Sequence, residues 1–371
     1  MPFIGNKPSA VPLTSADIAD GIIVNADISS TAGITLNKLS GNPVFRNALI
    51  NGDFSVAQRG TSFTSTSSAN NDDTYTLDRW YILSDGNDII DVTQETSVVP
   101  TNQLNAIALD VETINKKFGI AQIIEQKNCV GLIGNTVTLS FKAKVSSTTK
   151  LDNVKCAIVA WSGTADTVTS DIISAWGVEG TNPTLIANAT YENTPANLSV
   201  TTSYATYSVS AAVDTASTKN IIVFIWSDVT DTTLGDFLYV TDVQLEKGSA
   251  ATDFEFLPID VDLTRCQRYF QKIDTSSDNQ PYSARTNSTT ETVCVLMLST
   301  SLRASPTLNN PNFAFFDSSS SQTSSGGSIS VTKITNSNSL ITILKSGFTT
   351  LTNNRSCISG PVADLTIDSE L

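Results

Sequence analysis

Histidine is absent from this 371-residue chain, methionine occurs twice and tryptophan four times. The missing imidazole excludes Ser-His-Asp and Cys-His catalysis and histidine-ligated zinc, because histidine is the side chain that trades protons near neutral pH. Any chemistry would have to run on carboxylates, lysine, tyrosine or a bound hard cation. Charge is thin too, at 16% of residues, against about 25% in an ordinary globular chain. What there is leans acidic: 22 basic against 36 acidic side chains give a formal net charge of −14. That balance argues against nucleic acid, whose phosphates need clustered Lys and Arg, and against an anionic membrane surface. No apolar run approaches the ~18 residues of a membrane span, so no membrane insertion is expected. The glycine pairs, Gly326-Gly327 included, fall outside the GxxxxGK[ST] and GxGxxG phosphate cradles.

Cysteine is confined to Cys129, Cys156, Cys266, Cys294 and Cys357, an odd number, widely spaced and without a CxxC pair. This fits neither a disulfide framework nor a zinc site and predicts buried free thiols made in a reducing cytosol. The opening MPFIGNKPSAVPLT has no charged stretch ahead of an apolar one. No secretion signal is therefore expected.

Serine and threonine are abundant instead, roughly 95 together and about a quarter of the chain. The length allows two or three domains of ~100–200 residues, or one large β-domain with smaller neighbours. Three segments differ in pattern. Residues 1–45 repeat an Ala-Asp-Ile unit at Ala16-Asp17-Ile18 and Ala26-Asp27-Ile28, with Ile22, Ile23, Ile34 and Leu36 between and after. So few large apolar groups cannot close a core alone. Either the segment is a disordered linker, or identical chains supply the missing surface around an axis and bury Ile18, Ile22, Ile28 and Ile34.

Residues 46–258 carry twelve basic and 24 acidic side chains, so nearly all the acidity sits there. NTVTLSFKAKV places Val137, Leu139, Phe141, Ala143 and Val145 on one face, the signature of a half-buried antiparallel strand. KNIIVFIWS at 219–227 is a continuous apolar run suited to a central strand, and DFLYVTDVQLE at 236–246 alternates with one slip. About ten such strands without a convincing helix predict a two-sheet sandwich, a jelly roll. Residues 259–371 begin with DLTRCQRYFQK, a short helix or an extended connector, and continue into further strands. DSSSSQTSSGG at 317–327 has nothing to bury and is expected to be a solvent loop. The fold expected is thus all-β, with tandem antiparallel sandwiches after an extended N-terminal segment.

Three stretches together resemble phage tail fibre proteins: NALINGDFSVAQRGTSF at 47–63, TLDRWYI at 76–82 and YVTDVQLEKGSAATDFEFLPIDVDLTRCQRYFQK at 239–272. The N-terminal stretch resembles the opening of marine-phage fibres, and LRASPTL with the closing LTIDSEL resembles their receptor-binding heads. The resemblance implies a homotrimer in the virion tail, made in the host cytoplasm. It would be held to a tail or adaptor protein by residues 1–45 and would adhere to a host cell-surface glycan. The middle segment also resembles jelly-roll carbohydrate-binding modules, in which an Asn-Gly-x-Phe strand opens the fold and an Asp-bearing strand closes it. Those modules commonly hold a structural calcium between the two, which implies Asp53 and Asp242 here. Ser55 stands where that family usually has an acid, and calcium needs six to eight oxygens. Plain solvated acids are the alternative.

Sugar rings stack on exposed aromatics. Trp161 and Trp176 stand at strand ends or before turns, and Tyr282, Phe313 and Phe316 flank loops of the C-terminal segment. Each is a glycan-binding candidate, with core packing as the alternative; Trp80, inside DRWYI, is expected in the core. Arg268, Tyr269 and Phe270 join the two larger segments, either against symmetry mates near a threefold axis or as an intrachain cap. Glycoside hydrolysis is the enzymatic class open to a histidine-free chain. Asp72, Asp73, Asp85 and Asp88 read as solvated turn formers instead, and no ~20–30-residue stacking repeat of a β-helix is present. No enzyme activity is expected; a purely structural virion part and a glycan-cleaving fibre are the rivals to an adhesin.

Overall fold

A computed structural model describes residues 45–65, 69–215, 217–273, 283–309, 314–317, 320–324, 326–334, 340–349, 351–353, 355–359 and 364–371. Ile18, Ile22, Ile28, Ile34, Tyr282 and Phe313 lie outside them. Phe45–Leu371 form one contact unit, separate from residues 1–44.

The period-two alternation produces two antiparallel sheets. The first runs Ser62–Phe63, Ile90–Glu95, Ala106–Val111, Phe237–Lys247, Thr136–Val145, Ala205–Ala212, and the second Ala189–Tyr191, Val154–Trp161, Asn220–Ser227, Phe118–Ile124, Tyr81–Ser84. Between them Val137, Leu139, Phe141, Ala143 and Val145 pack with Ile120, Val223 and Ile225, as their spacing requires. Burying each large side chain contributes about 1.5–3 kcal/mol. The slip in 236–246 is a bulge between Thr241 and Gln244, with Asp242 turned to φ 55°.

The run Asn220–Ser227 is central in its sheet and buried on both faces. Ile221, Val223 and Ile225 face the sandwich core. Ile222, Phe224 and Trp226 face outward, where residues 162–193 fold back with a short ribbon, Ile173–Ala175 against Thr184–Leu185. Asp228, fully buried, ties that excursion down. One oxygen pairs with Lys117 at 2.5 Å and the other with Lys155 at 2.6 Å. Lys117 in turn donates to the carbonyls of Trp176, Val178 and Thr181, and Gly180 N–H donates to Asp228.

The expected Asn-Gly-x-Phe strand is instead a buried turn, with Asn51 at φ 57° and Phe54 at φ 58°. Asn51 holds it by donating to the carbonyls of Val56 and Asp78 and accepting from Val56 N–H. Trp80, in the core as expected, donates its indole N–H to Asn51 O. Gly52 accepts from Val243 N–H through its carbonyl, and a Cβ there would lie 2.1 Å from Val243 O, so this close approach leaves no room for a side chain.

Ile259–Gln267 is an α-helix, with Asp260 and Asp262 in its first turn and Arg265 in its last, each favourable to the helix dipole. Cys266, Leu263 and Tyr269 pack on Ile50 and Val56 of the sandwich. Beyond lie a sheet of Phe270–Ile273, Leu365–Asp368 and Thr307–Leu308, and a seven-stranded sheet centred on Ser283–Thr286 and Glu291–Met297. Cys294, Leu296, Ile341, Ile343 and Ile367 form a separate core there. Part of the expected loop at 317–327 is a hairpin, with Ala314–Asp317 paired to Ser320–Thr323 and Ser324 fully buried. All five cysteines are buried and outside any disulfide, and no described helix is long and apolar enough to cross a membrane.

The acids read as solvated turn formers are not all solvated. Burial, then the neighbouring charges of Asp72 and Asp171, push Asp73 up to about 7, and its Oδ1 is buried without a hydrogen-bond partner. The folded state therefore binds a proton that the unfolded chain has released, so stability falls as pH rises from about 4 to about 7. Asp73→Asn suits the φ of 62° there. Thermal melts should show it gaining about 2–4 °C at pH 7.5 and almost nothing at pH 4.

Candidate functional site

The strand Phe237–Lys247 sends Leu238 and Val240 into the core, so Phe237, Tyr239 and Thr241 point out of the six-stranded sheet. The Phe237 and Tyr239 rings stack, with centroids 5.4 Å apart and planes within 13°. Register places Tyr239 between Ala108 on one neighbouring strand and Lys144 on the other, and Thr93 opposite Ala108. Lys144 Nζ lies 5.4 Å from the Tyr239 centroid and 5.9 Å from that of Tyr204. Tyr204 is fixed by donating its hydroxyl to Val98 O at 2.8 Å. The result is a row across the sheet, with half-buried Phe237 and Tyr204 around a largely buried Tyr239. Buried Ala106 and Ala108 form its apolar floor.

Acids line one side of this row. Asp110 lies opposite Phe237 on one strand and Asp91 on the other. Burial, then the charges of Glu112, Asp91 and Asp236, push Asp110 up to about 6; like charges facing across a ladder repel. Burial also raises Asp91 and the Tyr204 and Tyr239 hydroxyls. The half-buried rings of Phe237 and Tyr204 beside carboxylates, hydroxyls and an ammonium supply what sugar recognition needs, a stacking surface with donors and acceptors at its margin, and the largely buried Tyr239 holds the Phe237 ring in place. The signal for this row lay in DFLYVTD. Assigning Leu238 and Val240 inward obliges Phe237 and Tyr239 to face outward.

The expected aromatic platforms are placed elsewhere. Trp161 and Trp176 are each 8% exposed, packed under the excursion on the outer face of the five-stranded sheet. Trp161 donates its indole N–H to Thr164 O and fits against Gly163, where a Cβ would come 2.3 Å from the ring. Trp176 meets Phe224 edge-on at 5.9 Å. Neither ring is open to a sugar, because the excursion that carries Trp176 closes over both. Phe316 lies in the strand Ala314–Asp317, where it pairs with Ile358.

Arg268, Tyr269 and Phe270 are used within the chain rather than at a seam between chains. Arg268 makes a bidentate pair with Glu125 at 2.8 and 3.0 Å, and Tyr269 donates to the same carboxylate at 3.0 Å. Arg79, buried, stacks 3.6 Å over the Tyr269 ring and pairs with Glu370. Arg59 lies 3.7 Å over the Phe270 ring and pairs with Asp368 at 2.9 Å. This is the intrachain cap, formed because the closing residues 368–371 bring two acids back to two sandwich arginines.

The calcium expectation fits poorly. Lys142 Nζ sits 2.8 Å from Asp242 Oδ2 and Gln103 donates to the same oxygen at 2.7 Å, so an ammonium supplies the positive charge. Asp53 accepts from Ser55 N–H. Among the described residues no group of three or more Cys, Asp or Glu side chains is placed to hold a metal.

No family model and no curated protein matches the chain. Among solved structures it is similar to the enzymatically active domain of bacteriophage CBA120 tailspike protein 4, at 14% identity and a TM-score of 0.32, over 55% of this chain and 22% of that one. It is also similar to TmCBM61 in complex with β-1,4-galactotriose, at 14% identity and 0.29, over 55% and 99%. A third similarity is to the CBM22-1 xylan-binding domain of Paenibacillus barcinonensis Xyn10C, at 11% identity and 0.28, over 49% and 94%.

Proposed function

We propose that the protein is a tail-fibre adhesin whose jelly roll binds polysaccharide of the host surface through the outer face of its six-stranded sheet. The observation that carries this is the row of Phe237, Tyr239 and Tyr204 with Lys144 and Asp110. The opposite sheet is sealed by residues 162–193. The fibre context rests on the motifs at 47–63, 76–82 and 239–272. Adhesion needs no proton-transferring imidazole. Copies assembled on one fibre would add avidity to weak individual sites.

Affinity electrophoresis of the full chain in gels containing host surface polysaccharide tests the reading. Phe237→Ala combined with Tyr239→Ala should weaken retention about tenfold or more, since each stacked ring contributes roughly 0.5–1.5 kcal/mol beyond its burial. Retention unchanged in that variant removes the face from the reading, and no retention of the unaltered protein favours a purely structural virion part.

A further inference from the structure

With Tyr269 and Phe270 buried inside the chain, association between copies needs another surface, and one stands where residue 45 enters the fold. Phe45 is 59% exposed, Phe256 58% and Ile259 58%. They belong to one neighbourhood. Arg46 donates to Asp253 O, Asn47 N–H donates to Glu255, and the Phe254 and Phe256 rings meet edge-on at 5.0 Å. Ile259, three residues after Phe256, is the first residue of the helix. A single exposed phenylalanine is ordinary, but three large exposed apolar side chains on chain stretches that these bonds tie together, with half-buried Phe254 and Leu257 in the same stretch, mark a contact surface.

We propose that this patch is where copies of this chain pack on one another. Two observations select a second copy as the occupant. The 44 residues leading into Phe45 are the isoleucine-spaced segment, whose few apolar groups cannot form a core without symmetry-related chains. Chains joined along that segment would each enter the fold at Phe45. The rim also carries both signs of charge: Arg46 donates to Asp253 O, Asn47 N–H donates to the Glu255 carboxylate, and Asp260 lies in the helix turn that follows, so a rotation can set the guanidinium of one copy against carboxylates of the next. The sandwich carries twelve more acidic than basic side chains, which opposes close approach elsewhere and directs contact to an apolar patch with a mixed-charge margin. The inference deepens the fibre reading by naming the seam, and it is independent of glycan binding.

Sedimentation of the full chain at micromolar concentration tests it. The expected mass is three times that of the 39.5 kDa chain, about 118 kDa. Phe45→Ser/Phe256→Ser/Ile259→Ser should weaken association about 100-fold and yield 39.5 kDa monomer. Should that variant melt early, Phe256→Glu alone, at a site already more than half exposed, must still shift the assembly toward monomer. An unaltered protein that runs as a monomer overturns the proposal, and so does an assembly indifferent to both variants. A monomer whose residues 1–44 become protease-sensitive in the triple variant would show that its own leading segment covers the patch. A dimer with the same dependence on Phe256 keeps the patch and retires the trimeric fibre.

Discussion

Replacing Asp228 with alanine is expected to destabilise the protein by about 3–5 kcal/mol, the range for removing one partner of a buried ion pair. The carboxylate is fully buried, and Lys117 and Lys155 reach its two oxygens at 2.5 and 2.6 Å. Deleting it leaves two ammonium groups with no counter-ion in a site where water cannot replace one. Asp228→Asn should fall between, because its amide keeps the shape and one acceptor but not the charge. Lys155→Met should cost less than Asp228→Ala, since Lys117 and Asp228 then remain as a neutral pair. Melting curves at pH 7 give the order. Limited proteolysis gives the location: Lys117 holds the carbonyls of Trp176, Val178 and Thr181, so the first new cleavages in Asp228→Ala should fall within residues 162–193. An Asp228→Ala protein that melts within about 1 kcal/mol of the original would show that the triad does not hold the excursion.

Arg79→Ala should have an effect of similar size at the other end of the sandwich. Arg79 is 1% exposed, donates to Ile123 O, stacks over Tyr269 and pairs with Glu370. Its loss opens a cavity beneath Tyr269 and leaves Glu370 with Arg59 alone, at 3.4 Å. About 3–5 kcal/mol should be lost, concentrated at the junction between the two cores. Calorimetry should resolve the change in kind. Arg59, Arg79 and Arg303 bind the segment 368–370, so the original protein is expected to melt in one transition and Arg79→Ala in two. Arg79→Lys should not restore the single transition, because one ammonium cannot stack on the ring and serve both a carboxylate and a carbonyl. A single unshifted transition in Arg79→Ala would show that helix packing on Ile50 and Val56 suffices to join the two parts.

These two clusters also mark what was hard to read in the sequence. Lys155 stands in the strand Val154–Trp161, Lys117 just before Phe118–Ile124 and Asp228 just after Asn220–Ser227, and Arg79 and Glu370 are 291 positions apart. No local pattern distinguishes a charge that will be buried with a partner from one that will be solvated, so acids such as Asp73 read as surface. The same limit misplaced Trp161 and Trp176. A tryptophan at a strand end faces solvent or core according to what folds over it, and here residues 162–193 fold over it.

Local order was decided by the sequence. Alternation with period two in Thr136–Val145 determined which side chains face the core, because successive Cβ atoms point to opposite faces of a strand. The continuous apolar run in Asn220–Ser227 required cover on both faces, and the slip in 236–246 required a bulge. Absent histidine removed a class of chemistry irrespective of fold. Only the tertiary structure decided which strands became neighbours, and with that the aromatic row from Phe237 to Tyr204, the capture of Arg268 and Tyr269 by Glu125, and the exposed patch at Phe45. The physical reason is one of range. Backbone geometry acts over a few residues, whereas a charge pair or a stacking surface exists only once long-range contacts bring its members together.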